Sequence, residues 1–174
     1  MNSLKQHTII GIIFVLLAGT LAHFLYDLSD NNHVIGLFTP VNESIWEHMK
    51  LVFFPMLLYS FFMIRRLKED YPSIISSLCL GILTGTTLIP VLFYAYTGLL
   101  GRDFFILDIG IFILSTLTAF LLSYRLTLSY RADPYTTLLC IMVCILFLCF
   151  LFFTYHPPDL AIFADPCSGT TKII

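Results

Sequence analysis

Five long apolar runs, separated by short polar stretches, dominate the chain. A bilayer core about 30 Å thick takes roughly 20 helical residues to cross. The pattern therefore predicts five spanning helices at about residues 8–27, 44–65, 73–98, 104–124 and 136–156. The second run differs from the others. It is uninterrupted only from Leu51 to Ile64, about 21 Å at 1.5 Å per residue, so it spans only by recruiting the polar stretch Ile45–Lys50. Gly81, Gly85 and Pro90 lie in the third run, and Pro157-Pro158 end the fifth. The connections are short and no repeat occurs. The expected fold is all-α: a polytopic membrane helix bundle forming one domain over residues 1–174, with 157–174 as a short tail. Lys5, the first apolar run, Thr20 and Ala22 loosely fit a signal peptide. The run is long for one and polar residues follow at once, so it reads as a mature helix.

Composition fits this pattern. Of 174 residues, 58% are hydrophobic and 11% charged, against roughly 45–50% and about 25% in soluble domains. Such a chain has more apolar surface than a core can use. Intrinsic disorder is excluded, and nine Lys+Arg against eleven Asp+Glu leave no footprint for nucleic acid. Cys79, Cys140, Cys144 and Cys149 lie inside apolar runs and Cys167 in the tail. The four read as small buried hydrophobes, and no CxxC pair exists. Cys140 and Cys144 share a helix face, but the sequence offers them no third ligand nearby.

The basic residues set the expected orientation. With the amino terminus in the cytoplasm, Lys5, Arg65, Arg66, Lys68, Arg125 and Arg131 fall inside, and only Lys50, Arg102 and Lys172 outside. That arrangement is N-in and C-out. It also gathers eight of the eleven acids, and His23, His33, His48 and His156, on the outer side. An electronegative surface rich in imidazole suits a cation.

Three places put ionisable groups at membrane depth, where they are costly unless paired or set in a wet cavity. His23 and Asp27 are four apart on one face of the first helix. They read either as a helix-end hydrogen bond or as metal ligands. The densest polar stretch is Thr39 to Lys50, in which Glu43 and Glu47 are also four apart. Ser44-x-x-Glu47 fits a capping box, Trp46 an interfacial anchor, and Lys50 a partner for Glu47. Capping leaves Glu43, His48 and Lys50 unexplained. The third place is Asp108, one turn into the fourth helix. Tyr94 and Tyr96 are most simply interfacial aromatics.

The stretch Asn42-Glu43-Ser44-Ile45-Trp46-Glu47-His48-Met49-Lys50 resembles an uncharacterised family of small bacterial multi-span membrane proteins that carries Asn-Glu-Ser-x-Trp-Glu-His-x-Lys. The resemblance extends to His23, Asp27, Phe104–Phe112 with Asp108, Phe153-Thr154, Pro157-Pro158 and Phe163-x-Asp165-Pro166. It departs at His156, where the family is not reliably histidine, and at Gly169-Thr170-Thr171-Lys172, where an aromatic-glycine pair is expected. The resemblance implies a multi-pass protein of the bacterial cytoplasmic membrane and an important start to the second helix. It implies no activity.

Three readings of the polar cluster follow. In the first, His23, Asp27, Glu47 and His48 hold one divalent, zinc-like metal. Glu43, Glu47 and Lys50 then do the catalytic work of a hydrolase or transferase on a lipid-like substrate at the outer leaflet, with Asn42, Trp46, Asp108 and Asp165 as binding residues. HExxH and GxSxG motifs are absent. In the second, the cluster binds a cation or proton in a small transporter or binding subunit, with a homo-oligomer or partner subunit expected at this size. In the third, it is a structural polar knot and function lies in a partner surface.

Overall fold

The computed structural model describes residues 3–165. It contains α1 (Ser3–Leu28), α2 (His33–Gly36), α3 (Ile45–Leu67), α4 (Ile74–Leu100), α5 (Phe105–Ser129) and α6 (Thr136–Phe153). Single 3-10 turns occur at Asp133–Tyr135 and Ala161–Phe163. No strand occurs among the described residues. Cys167 and the Gly169–Lys172 stretch lie outside them. Including the turn that leads into α6, five helices are long and apolar enough to cross a membrane.

The ends follow from local chemistry. The Ser44 hydroxyl accepts from the Glu47 amide and starts α3. Gly101, at φ +70°, closes α4 in the left-handed conformation that glycine takes without strain. Some boundaries shift from the pattern-based expectation. α5 runs five residues past 124, because Thr127 is fully buried against α4 and its carbonyl accepts from Ser73 Oγ at 2.9 Å. α6 stops at Phe153, three residues short, with the Thr154 hydroxyl turned back to the Phe150 carbonyl and prolines two residues beyond Tyr155. The four-residue α2 is new. Asn32 Oδ1 caps it by accepting from the amides of Val34 and Ile35.

α3 and α4 form the interior, each buried over more than half of its most apolar window, whereas α1, α5 and α6 are buried over less than a third. α4 packs on α3, α5 and α6, while α1 lies against α3 and α5. Small residues allow the closest approaches: a Cβ on Gly85 would lie 2.7 Å from that of Ala119. Leu17, Leu21, Leu58, Phe61, Ile106 and Leu148 point outward and are more than half exposed. Such a surface is stable against lipid and unstable against water.

The end of α1 meets the start of α3, the end of α4 meets the start of α5, and the end of α6 packs on the start of α3. One end of the bundle therefore carries the polar cluster.

Candidate metal centre

The stretch before α3 is folded by its own side chains. Asn42 Oδ1 accepts from the Ser44 amide at 2.9 Å, forming an Asx turn, and Ser44 then caps the helix. Between them Glu43 projects from the chain, its side chain half exposed. The Ser44 carbonyl accepts from His48 Nδ1 at 2.9 Å. A carbonyl can only accept, so Nδ1 carries the hydrogen and Nε2 is left for another partner. That nitrogen faces Glu43 Oε2 at 3.4 Å. The other Glu43 oxygen lies 3.9 Å from His23 Nε2, and the two imidazole rings are 5.4 Å apart. One donor atom from each of His23, Glu43 and His48 thus falls within 4.8 Å of the other two.

Two ligands at about 2.1 Å from a tetrahedral ion stand roughly 3.4 Å apart. The separation of His48 from Glu43 Oε2 matches this, while His23 stands about half an ångström too far from the other oxygen, Oε1, so a common ion requires the half-exposed glutamate to turn. His23 Nδ1 is buried without a hydrogen-bond partner. An ion on Nε2 would put a hydrogen on that Nδ1, for which no acceptor stands in reach, so His23 lacks the outer partner that His48 has in Ser44.

The trio depends on a fully buried clamp. Lys50 Nζ donates to the Gly36 carbonyl at 2.9 Å, the Thr39 carbonyl at 3.2 Å and Glu47 Oε2 at 2.7 Å, which uses all three ammonium hydrogens. Glu47 Oε2 also accepts from the Val41 amide at 3.0 Å. An ion pair this deep offsets its desolvation cost only when its hydrogen bonds are made, and here Lys50 spends all three donors while Glu47 Oε2 accepts twice. The effect is to fasten residues 36–41 to the first turns of α3, and the Asx turn bearing Glu43 follows directly. Gly36 makes this possible, since a Cβ there would collide with the Tyr155 hydroxyl and stand 2.7 Å from Val41 Cγ1.

The remaining sequence-derived residues take distinct places. Asp27 is exposed one turn beyond His23, and Glu47 is turned to Lys50, so neither belongs to the group of three. Asn42 spends its Oδ1 on the Asx turn. Trp46 stacks among Phe150, Phe153 and Phe163 at centroid distances of 4.7, 5.8 and 4.8 Å, in the interior rather than at an interface with lipid. Asp165 follows the 161–163 turn, which packs on α3, and also stands outside the trio. His156 stacks on Phe152 and is exposed. Asp108 stands one turn into α5, at the same end of the bundle and outside the trio.

Asp108 has a partner that hydropathy assigned to the membrane interface. The Tyr96 hydroxyl donates to Asp108 Oδ1 at 2.5 Å and accepts from the Phe104 amide at 3.2 Å. A tyrosine four residues from the end of one span, with an aspartate one turn into the next, was the available signal, because a short hairpin brings those positions together.

The hydrogen bond from His48 holds the Glu43 carboxyl below its ordinary value, and the charges of His48 and His23 act in the same direction, against partial burial. Because Nδ1 is engaged with Ser44, donation from Nε2 requires a protonated ring. A metal would replace that proton.

The model of the Family of unknown function (DUF6512) matches residues 1–173. The chain belongs to that family. No curated protein and no solved structure matches it. Membership in DUF6512 agrees with the expected kinship to an uncharacterised family over the whole length, and it assigns no activity.

Proposed function

We propose that the chain is a membrane-embedded, metal-dependent hydrolase or transferase acting on a lipid-like substrate at the outer leaflet, in the N-in, C-out orientation. His23, Glu43 and His48 hold one divalent, zinc-like ion. The observation that carries this reading is the convergence within 4.8 Å of an imidazole from the end of α1 and a carboxylate and a second imidazole from the start of α3. Two histidines and one carboxylate are a donor set that leaves a coordination position open for chemistry. The Ser44 carbonyl acts on His48 as outer partners of metal-binding histidines do, fixing the tautomer and the ring. This assignment brings Glu43 into the ligand set and leaves Asp27 and Glu47 outside it.

When bound, the ion supplies Lewis acidity and lowers the pKa of a water. Asp108, oriented by Tyr96 at the same end of the bundle, would be the carboxylate available as general base. Lys50 has no hydrogen to spare for substrate and acts as a positioning residue.

A lipid-like substrate is supported by an apolar groove between α1 and α3. Phe14, Ala18, Ala22, Phe54, Leu58 and Phe61 line a space of about 370 Å³. It runs at membrane depth, and Ala22 adjoins His23 in the chain. An acyl chain there would bring its head group to the trio.

The test is the metal content of protein purified in detergent, with turnover of lipid esters and amides in mixed micelles. The unmodified chain should retain about one zinc, and His48→Ala and Glu43→Ala should lose both zinc and turnover. Equal metal content in all three would overturn the reading.

A further inference from the structure

The last two turns of α3 and the start of α1, at the end of the bundle away from the trio, present a different surface. α3 is the most buried of the long helices, yet Phe61 and Phe62 are 60% and 59% exposed. Arg65 and Arg66 follow four residues later, also exposed, so each arginine shares a face of α3 with one of the phenylalanines. Lys68, at the helix end, is exposed as well. α1 adds a fourth cation. Gly11 packs on Tyr59 and Gly19 on the Leu51 carbonyl, which sets the register of the antiparallel pair. Lys5, six residues before Gly11, therefore comes level with Arg65, six residues after Tyr59. Glu69 and Asp70 stand in the turn that follows, yet among the described residues no carboxylate forms an ion pair with any of the four cations.

We propose that this surface binds one anionic phospholipid of the leaflet opposite the trio, with the phosphate on Arg65 and Arg66 and an acyl chain along Phe62. The site is independent of the His23 trio and of the reading built on it. His48 and Arg65 are 17 residues apart in α3, about 26 Å along its axis, against a hydrocarbon core about 30 Å thick. With His48 near one headgroup layer, the two guanidinium groups reach the other, and the phenylalanines lie one turn deeper, among the acyl chains. Guanidinium grips phosphate through two parallel N–H bonds, and an arginine with no carboxylate partner has those donors to give. Lys5 and Lys68 add attraction to a negative head group without fixing its geometry. The apolar half matters equally, since a free phosphate would meet the charges and leave Phe62 uncovered. Phe62 is not among the residues that line the groove between α1 and α3, so a chain against it leaves the groove open.

The experiment is titration of the full chain in neutral detergent with phosphatidylglycerol and with phosphatidylcholine of the same acyl chains, counting retained lipids by native mass spectrometry. One phosphatidylglycerol should bind at least tenfold more tightly than phosphatidylcholine, and inorganic phosphate should not displace it. Arg65→Gln and Arg66→Gln should each weaken it about fivefold, and Phe62→Ala should weaken both lipids alike. Arg125→Gln, which removes an exposed charge at the same end of the bundle on α5, and His48→Ala should leave it unchanged. The α3 substitutions are at exposed positions, and a melting curve checks that each variant keeps its fold. Equal affinity for the two lipids, displacement by inorganic phosphate, or a loss with Arg125→Gln as large as with Arg65→Gln (a diffuse field and no site) would each overturn the proposal.

Discussion

Gly19 of α1 lies directly against the backbone carbonyl of Leu51 on α3: a Cβ at this glycine would stand 2.5 Å from that oxygen and 2.7 Å from Phe112 Cζ. The two helices run in opposite directions here. One turn forward along α1 is His23, and three residues back along α3 is His48, so the close approach at Gly19 sets the spacing of the two imidazoles. Gly19→Ala must push α1 off α3 by several tenths of an ångström or more, since a carbonyl of a buried helix cannot yield. Zinc affinity should fall at least tenfold and thermal stability in detergent should drop. Competition with a chromogenic chelator measures the first, and an unchanged affinity would show that the helix spacing does not govern the site.

The Lys50–Glu47 clamp predicts a non-additive pair. Removing one member leaves the other buried and charged, at a cost of about 3–5 kcal/mol, while replacing both with apolar residues of similar size is much milder. Lys50→Met and Glu47→Leu should each lower the midpoint of thermal unfolding steeply, and the double variant should recover much of the loss. Zinc affinity should not recover with it, because residues 36–41 are no longer fastened and Glu43 is released. Metal affinity that returned along with stability would mean the clamp does not position Glu43.

The apolar runs made the five long helices legible, because a span of this length has no other low-energy conformation in lipid. They also placed Glu43, Glu47, His48 and Lys50 at a costly depth. The division of labour among these residues was not legible. Helical spacing pairs Glu43 with Glu47, yet the chain at Glu43 is still an Asx turn, and helical periodicity does not extend into it. The pairing of Lys50 with Glu47 was legible from their spacing, but its other two partners are carbonyls of Gly36 and Thr39, which every residue carries and no motif marks. Tyr96 was hidden for a related reason, since an interfacial tyrosine looks the same whether its hydroxyl meets a headgroup or a carboxylate. Trp46 was read as an anchor because the aromatic residues around it come from α6 and the 161–163 turn, about a hundred residues away.

Glu43 gives the metal-free chain a defined pH response. Its carboxyl is held below its ordinary value of 4.5 by His48 and His23. A group whose folded pKa is depressed contributes stability that is complete above the unfolded value and disappears as the pH falls through the folded one. With a chelator present, the unmodified chain should therefore melt higher than Glu43→Gln at pH 6, and the gap should close on acidification below about 4.5. The carboxylate is half exposed, so the gap should be small and should shrink with added salt. A gap that widens toward acid would have the wrong sign for this ion-paired geometry.

Tyr96 separates positioning from metal binding. Its hydroxyl contacts Asp108 and the Phe104 amide but none of the three proposed ligands. Tyr96→Phe keeps the ring and its edge contact with Phe93 and removes only the oxygen. Zinc content should stay at the unmodified level, and the melting midpoint should change little for a group near the end of α4. Turnover should fall, because an Asp108 free to rotate is less often aimed at the water from which it takes a proton. The loss should appear in kcat with KM nearly unchanged and reach about tenfold, whereas Asp108→Asn, which removes the base itself, should cost about a hundredfold or more. A Tyr96→Phe variant that lost zinc would place the hydroxyl in support of the metal trio instead. One with full activity would remove Asp108 from the chemistry and leave the trio to act alone.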